Sequence, residues 1–214
     1  MDIRLILVQV FVILFAITVH EAAHAWTANR MGDPTAAALG RASLNPLVHI
    51  DPIGTVLFPL ILILFKMPVF GWAKPVPYNP YNLRHAKKGG LWISFAGPIA
   101  NILTAAAAVV LFRFLRLFGA RITDLSALSK PLEGLSVILL FTAIINISLA
   151  VFNLIPVPPL DGSGILAGLL SGRAADRYER LRPYGFLILL AIMYSGVLNL
   201  IFSPVQNLIV RLFS

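Results

Sequence analysis

The chain has 214 residues, of which 58% are hydrophobic and only 12% charged, which leaves too little polar surface for an ordinary soluble domain. It contains no Cys, so disulfides, thiolate metal ligands and a cysteine nucleophile are all excluded. The formal net charge of +8 comes from Lys and Arg placed between apolar runs, a pattern that suits anionic lipid head groups and the setting of topology rather than nucleic acid.

The first apolar run, residues 5–19, has only Gln9 and Thr18 as polar side chains and neither Gly nor Pro. It predicts one helix that continues into His20-Glu21-Ala22-Ala23-His24. A cleaved secretory signal would remove or split that motif, so a retained membrane span is the reading. At an i, i+4 separation His20 and His24 share one helix face, at a spacing that lets two imidazoles bind one zinc ion. Glu21, one residue after the first imidazole, is placed to act there as general base on water. His49 and Asp51, in the turn-forming stretch before Pro52, are a rival pair of metal ligands, although turn chemistry accounts for Asp51-Pro52.

Further apolar stretches follow at residues 52–65, 91–118, 135–154, 160–170 and 183–202. The stretches 91–118 and 135–154 are long enough to cross a hydrocarbon core of ~30 Å, whereas 52–65 is short and contains Pro59. The Pro-rich stretch of residues 71–80 is expected to be extended, with Trp72 and Tyr78 near an interface. The stretch 204–213 spans, re-enters or lies on the surface.

Asp161 is the acidic residue set apart from the rest. Asp33, Asp51, Asp124, Glu133, Asp176 and Glu179 sit in or beside polar connections, but Asp161 ends Asn153-Leu154-Ile155-Pro156-Val157-Pro158-Pro159-Leu160-Asp161 within apolar surroundings. The prolines break the helix and free backbone carbonyls, which a membrane tolerates only beside protein or a wet cavity. A lone carboxylate there costs several kcal/mol, and a divalent cation shared with the two histidines removes that cost. The plainer reading makes Asp161 the N-cap of the next helix. Asn146 reads as a bond between neighbouring helices, and Gly97, Gly164 and Gly168 as points of close helix approach.

For the histidines and the region of Asp161 to meet at one depth, the first span and 135–154 must run parallel, with one crossing, 91–118, between them. Residues 52–65 with the Pro-rich segment are therefore expected to form a re-entrant hairpin. Arg30, Arg41, Arg84, Lys87, Lys88, Arg173, Arg177, Arg180 and Arg182 then fall on one side, against Arg4, Arg113, Arg116, Arg121 and Lys130 on the other. The positive-inside rule puts the active-site side in the cytoplasm.

Three motifs in order, the HExxH of residues 20–24, Gly97-Pro98-Ile99-Ala100-Asn101 in a middle span and the NxxPxPxLDG of residues 153–162, resemble the site-2 protease family of intramembrane zinc metalloproteases. The resemblance implies that His20, His24 and Asp161 bind one zinc ion, that Glu21 is the catalytic base and that Asn153 positions the substrate or polarises its carbonyl. It further implies an all-α polytopic membrane protein, a bundle of five to six spanning or half-spanning helices with a small extended or β re-entrant segment. Residues 37–44 or 71–80 would supply the edge that pairs with substrate. No PDZ or cystathionine-synthase-type domain is recognisable, so one membrane-embedded domain over residues 1–214 is expected. The implied reaction is hydrolysis of peptide bonds in or near transmembrane helices of other membrane proteins; small size and the lack of appended domains lead us to expect a prokaryotic cytoplasmic membrane. The rival class is a membrane metal-binding protein or ion transporter using the same three ligands without hydrolysis. A transporter commonly shows repeated halves, and the sequence shows no internal repeat.

Overall fold

The computed structural model describes residues 2–65, 71–119 and 129–213. Arg121 and Asp124, used above in the readings of topology and ligands, lie outside them.

Helix α1 (Ile3–Arg30) starts where the Asp2 carboxylate accepts from the Arg4 N–H and runs through the HExxH motif without interruption. α2 is a single turn (Thr35–Ala38), and α3 (Phe58–Leu64) follows a π-helical turn over Pro52–Leu57 that Asp51 caps through the N–H groups of Ile53 and Gly54. The long helices α4 (Ala86–Gly119) and α5 (Ser129–Asn153) come next. α6 (Asp161–Leu169), α7 (Arg173–Glu179), α8 (Gly185–Tyr194) and α9 (Val197–Phe213) complete the chain. Among the described residues three helices are long and apolar enough to cross a membrane: α1, α4 and α5. The segment from Arg173 to Tyr194 and α9 make a fourth candidate bent by 66°, at a break where Gly196 takes φ +78°.

α4 lies between α1 and α5 and runs against both. Along α1, Ala16 and His20 meet Asn101 while His24 meets Ile93. Along α5, Asn146 meets Asn101, and the earlier residues Leu139 and Ala143 cluster with Ala108 and Phe112, further along α4. The first and third long helices are therefore parallel, as the depth argument requires. Ile209 of α9 closes the same cluster. α6 packs on α4 through small residues: a Cβ at Gly164 would stand 2.1 Å from Ser94 Oγ, and one at Gly168 would stand 2.7 Å from Leu91 Cβ. Outward-facing Phe11, Phe15, Leu103, Val110 and Phe114 stay exposed, as suits helices solvated by lipid.

Residues 37–44 do not form an edge. The Asp33 carboxylate accepts from the Thr35 N–H, Pro34 sits at the helix start, and Ala36, Ala37 and Ala38 favour a helical turn over an extended strand. Residues 71–79 form neither helix nor strand, with extended backbone at Asn79, and among the described residues no β-strand is formed. The segment is tied along one side: Trp72 N–H donates to Gly54 O at 3.1 Å and Lys74 N–H to His49 O at 2.9 Å. On that side too, Thr55 Oγ1 donates to Trp72 O at 2.9 Å, and the buried Arg41 guanidinium donates to Val48 O at 2.6 Å and to Lys74 O at 3.4 Å. The chain thus leaves at residue 54 and returns beside it at residue 72.

Asp33 locks the end of α1 to the approach to α4. Its oxygens accept from Thr35 N–H, Thr35 Oγ1, Asn82 Nδ2 and Asn79 N–H. Burial alone would raise its pKa, but these hydrogen bonds outweigh it and hold the carboxyl at about 2, against 3.8 when free. A depressed carboxylate stabilises the fold above the unfolded value and loses that stabilisation as pH falls through the folded one. The thermal stability of the wild type relative to Asp33→Asn, measured in detergent, is therefore expected to be constant above about pH 4 and to shrink between pH 4 and 2. A difference that does not change with pH would remove this role.

Candidate active site

His20 and His24 lie about 15 Å and 9 Å from the C-terminal end of α1 at 1.5 Å per residue, and both are buried. His20 Nδ1 donates to Asn101 Oδ1 at 2.6 Å, and His24 Nδ1 donates to Ile93 O at 2.6 Å. The direction of these bonds is fixed from outside. Asn101 Nδ2 donates to Ala16 O and to Asn146 Oδ1, and Asn146 Nδ2 donates to Thr142 O, so Asn101 Oδ1 can only accept. With Nδ1 carrying the proton on both rings, each Nε2 keeps its lone pair.

Those two nitrogens face each other at 3.0 Å, and Asp161 Oδ2 stands 3.0 Å from the first and 3.3 Å from the second. Asp161 does not cap its own helix: α6 has no side-chain cap, and the carboxylate turns to the imidazoles instead. Asp161 Oδ2 is buried without a hydrogen-bond partner. Three lone-pair donors thus converge with no hydrogen among them, an arrangement that repels itself unless a cation fills it. A tetrahedral zinc site with bonds of 2.0–2.2 Å needs donor atoms about 3.3–3.6 Å apart; the three separations, 3.0, 3.0 and 3.3 Å, are shorter by a few tenths of an ångström, so small side-chain shifts would open the trio to that spacing. Among the described residues this trio is the group of His, Asp and Glu side chains whose donor atoms come close enough to hold a metal ion.

The trio forms part of the wall of a cavity of about 390 Å³. Ile17 and Glu21 of α1 line it beside the histidines, Trp72, Val76 and Tyr78 line it from the Pro-rich segment, and Leu149, Phe152 and Asn153 from the end of α5. The Glu21 carboxylate accepts no hydrogen bond from any described residue. Asn153 Nδ2 donates to Leu149 O at 3.0 Å within its own helix, which leaves the amide oxygen and one N–H uncommitted.

A model of peptidase family M50 matches residues 8–195. The chain belongs to that family. It is similar to a Bacillus subtilis protein named "Putative zinc metalloprotease YwhC", 33% identical over 96% of this chain and 90% of the relative. "Putative zinc metalloprotease Rip2" of Mycolicibacterium smegmatis is 28% identical over 87% of this chain and 66% of the relative, and Rip2 of Mycobacterium tuberculosis is 27% identical over similar shares. No solved structure matches the chain significantly.

In this M50 peptidase the structure brings together His20, His24 and Asp161, with Glu21 and Asn153 on the same cavity. His49 and Asp51 stand apart from that trio: Asp51 caps a turn, and His49 Nε2 donates to Ser43 O at 2.8 Å. Sequence reasoning missed what orients the imidazoles. Asn101 was visible only as a member of a motif and as a polar residue in an apolar span, and a backbone carbonyl such as Ile93 O carries no sequence signal at all. Gly97 proves more than a point of helix approach, since a Cβ there would lie 2.5 Å from His20 Cε1 and from His24 Nε2. It is the space in which both rings sit.

Proposed function

We propose that His20, His24 and Asp161 hold the zinc ion of this intramembrane metalloprotease and that Glu21 is its general base. The observation that carries the assignment is the convergence of two Nε2 lone pairs and Asp161 Oδ2 on one wall of the cavity. Zinc supplies Lewis acidity, polarising the scissile carbonyl and making water a better acid. Glu21 takes a proton from the attacking water onto its carboxylate and returns it to the amide nitrogen as the C–N bond breaks. Asn153 offers its free N–H or amide oxygen to the substrate backbone.

The substrate is a transmembrane helix of another membrane protein, unwound locally because its carbonyls are otherwise committed to i→i−4 bonds. The Pro-rich segment supports a docking edge. Trp72 and Lys74 spend their backbone groups on residues 41–55, whereas Ala73 between them bonds to no described residue through N–H or C=O and lies on the cavity. A substrate strand adding there satisfies its freed backbone groups. Residues 52–65 with this segment form a re-entrant hairpin, and the excess of basic residues in the connections on the active-site side, Arg30, Arg41, Arg84, Lys87 and Lys88 among them, supports a cytoplasmic active site.

Detergent-purified wild type is expected to carry about one zinc per chain by mass spectrometry and to cut a model transmembrane substrate, while Asp161→Ala loses most of the metal and all measurable cleavage. Full zinc occupancy in Asp161→Ala would overturn the ligand set. Zinc bound by the wild type, with cleavage absent across a panel of transmembrane substrates, would favour the ion-binding alternative.

A further inference from the structure

A second cavity of about 330 Å³ lies at the junction of α1 and α4, away from the metal trio. Arg30, the last residue of α1, lines it with Arg84, His85, Lys88 and Trp92. Three basic side chains and an imidazole therefore line one small space with an aromatic ring; its surface is mostly apolar, as side-chain stems and a ring make it, and no carboxylate lines it.

The junction is built rather than loose. Arg84 N–H donates to Met31 O at 3.1 Å, and Gly32 turns the chain at φ +111°, where a Cβ would press on Asn82 O at 3.0 Å. The nearby carboxylate, Asp33, is buried with both oxygens turned to Thr35, Asn79 and Asn82, so it does not neutralise the pocket. The carbonyls that would repel an anion at the end of α1 are largely occupied: Thr27 O and Ala28 O accept from Met31 N–H, Asn29 O from Gly32 N–H. Among the described residues no acidic group pairs with Arg30, Arg84 or Lys88.

The place of the cavity selects its ligand. It joins the end of one membrane-length helix to the start of another, the depth of lipid phosphates, and Trp92, 52% exposed, stands one turn further into α4 as an interfacial aromatic does. Basic pockets between spans at that level hold anionic head groups. We propose that this pocket binds the phosphate of an anionic phospholipid, with Arg30, Arg84 and Lys88 as its cationic contacts and Trp92 against the glycerol and upper acyl chain.

Native mass spectrometry of the whole chain in detergent tests this with phosphatidylglycerol and phosphatidylcholine as probes. Wild type is expected to retain one phosphatidylglycerol in preference to phosphatidylcholine. The triple variant Arg30→Ala, Arg84→Ala, Lys88→Ala is expected to bind it roughly a hundredfold more weakly, at about fivefold per cation. The matched variant Arg173→Ala, Arg177→Ala, Arg180→Ala, which removes the same charge elsewhere, is expected to bind normally. Equal losses in the two variants would reduce the effect to general attraction and overturn the site, as would an unchanged triple variant. Displacement of the lipid by millimolar inorganic phosphate would reassign the pocket to a soluble anion.

Should the triple variant fail to fold, fluorescence decides. In a Trp26→Phe, Trp72→Phe background Trp92 is the sole tryptophan, and acyl-brominated phosphatidylglycerol is expected to quench it more than brominated phosphatidylcholine at equal mole fraction. Equal quenching would overturn the proposal.

Discussion

Glu21→Gln is expected to keep zinc at the wild-type stoichiometry and to lower kcat for cleavage of a transmembrane substrate by about 10²–10⁴-fold, the usual worth of a positioned general base. The substitution is nearly isosteric, and Glu21 accepts no hydrogen bond from any described residue, so the fold has little to lose. Gln cannot take the water proton, while the three groups that converge at the metal site are untouched. The loss should fall in kcat with KM nearly unchanged, because Glu21 is assigned no part in holding substrate. Full activity with unchanged zinc would show that another group moves the proton. Parallel loss of zinc would instead make Glu21 a ligand.

Asn101→Leu is expected to weaken zinc binding by about 10–100-fold, measured by competition with a chelator, and to lower the thermal midpoint of the protein as well. The two effects have separate causes. His20 Nδ1 loses the acceptor that fixes its tautomer, so its Nε2 is no longer reserved as a lone pair. The fully buried Asn146 Oδ1 loses its donor, at a cost of about 1–3 kcal/mol. Two companions separate these effects. Asn146→Leu strips the far end of the network and should cost stability more than zinc affinity, whereas Asn101→Asp keeps an acceptor for His20 and should hold zinc better than Asn101→Leu. Equal zinc affinity in all four proteins would show that the network only packs helices.

How much the sequence disclosed follows from where charge is expensive. His20, Glu21, His24 and Asp161 were legible because ionisable groups in apolar surroundings need a reason, and their meeting required α1 and α5 to be parallel, which the chain obeys. The prolines at 75, 77 and 80 announced a stretch without helix, since they lack N–H groups and fix φ. The alternative edge at residues 37–44 failed because capping by Asp33 and a run of alanines act locally, whereas strand pairing needs a partner that local sequence does not name. The orienting bonds were hidden for a related reason. Asn101 meets His20 from 81 residues away, and Ile93 contributes only its backbone.

The proposed metal site draws its first two donors from α1 and its third from α6, about 140 residues later. At 5–20 residues per second, roughly seven to thirty seconds of translation separate them. During that interval the nascent chain holds two imidazoles but not the carboxylate that completes the trio. On that assignment a newly inserted chain has no complete metal site until α6 has docked against α4, and the pace of translation sets the earliest moment at which it can cut.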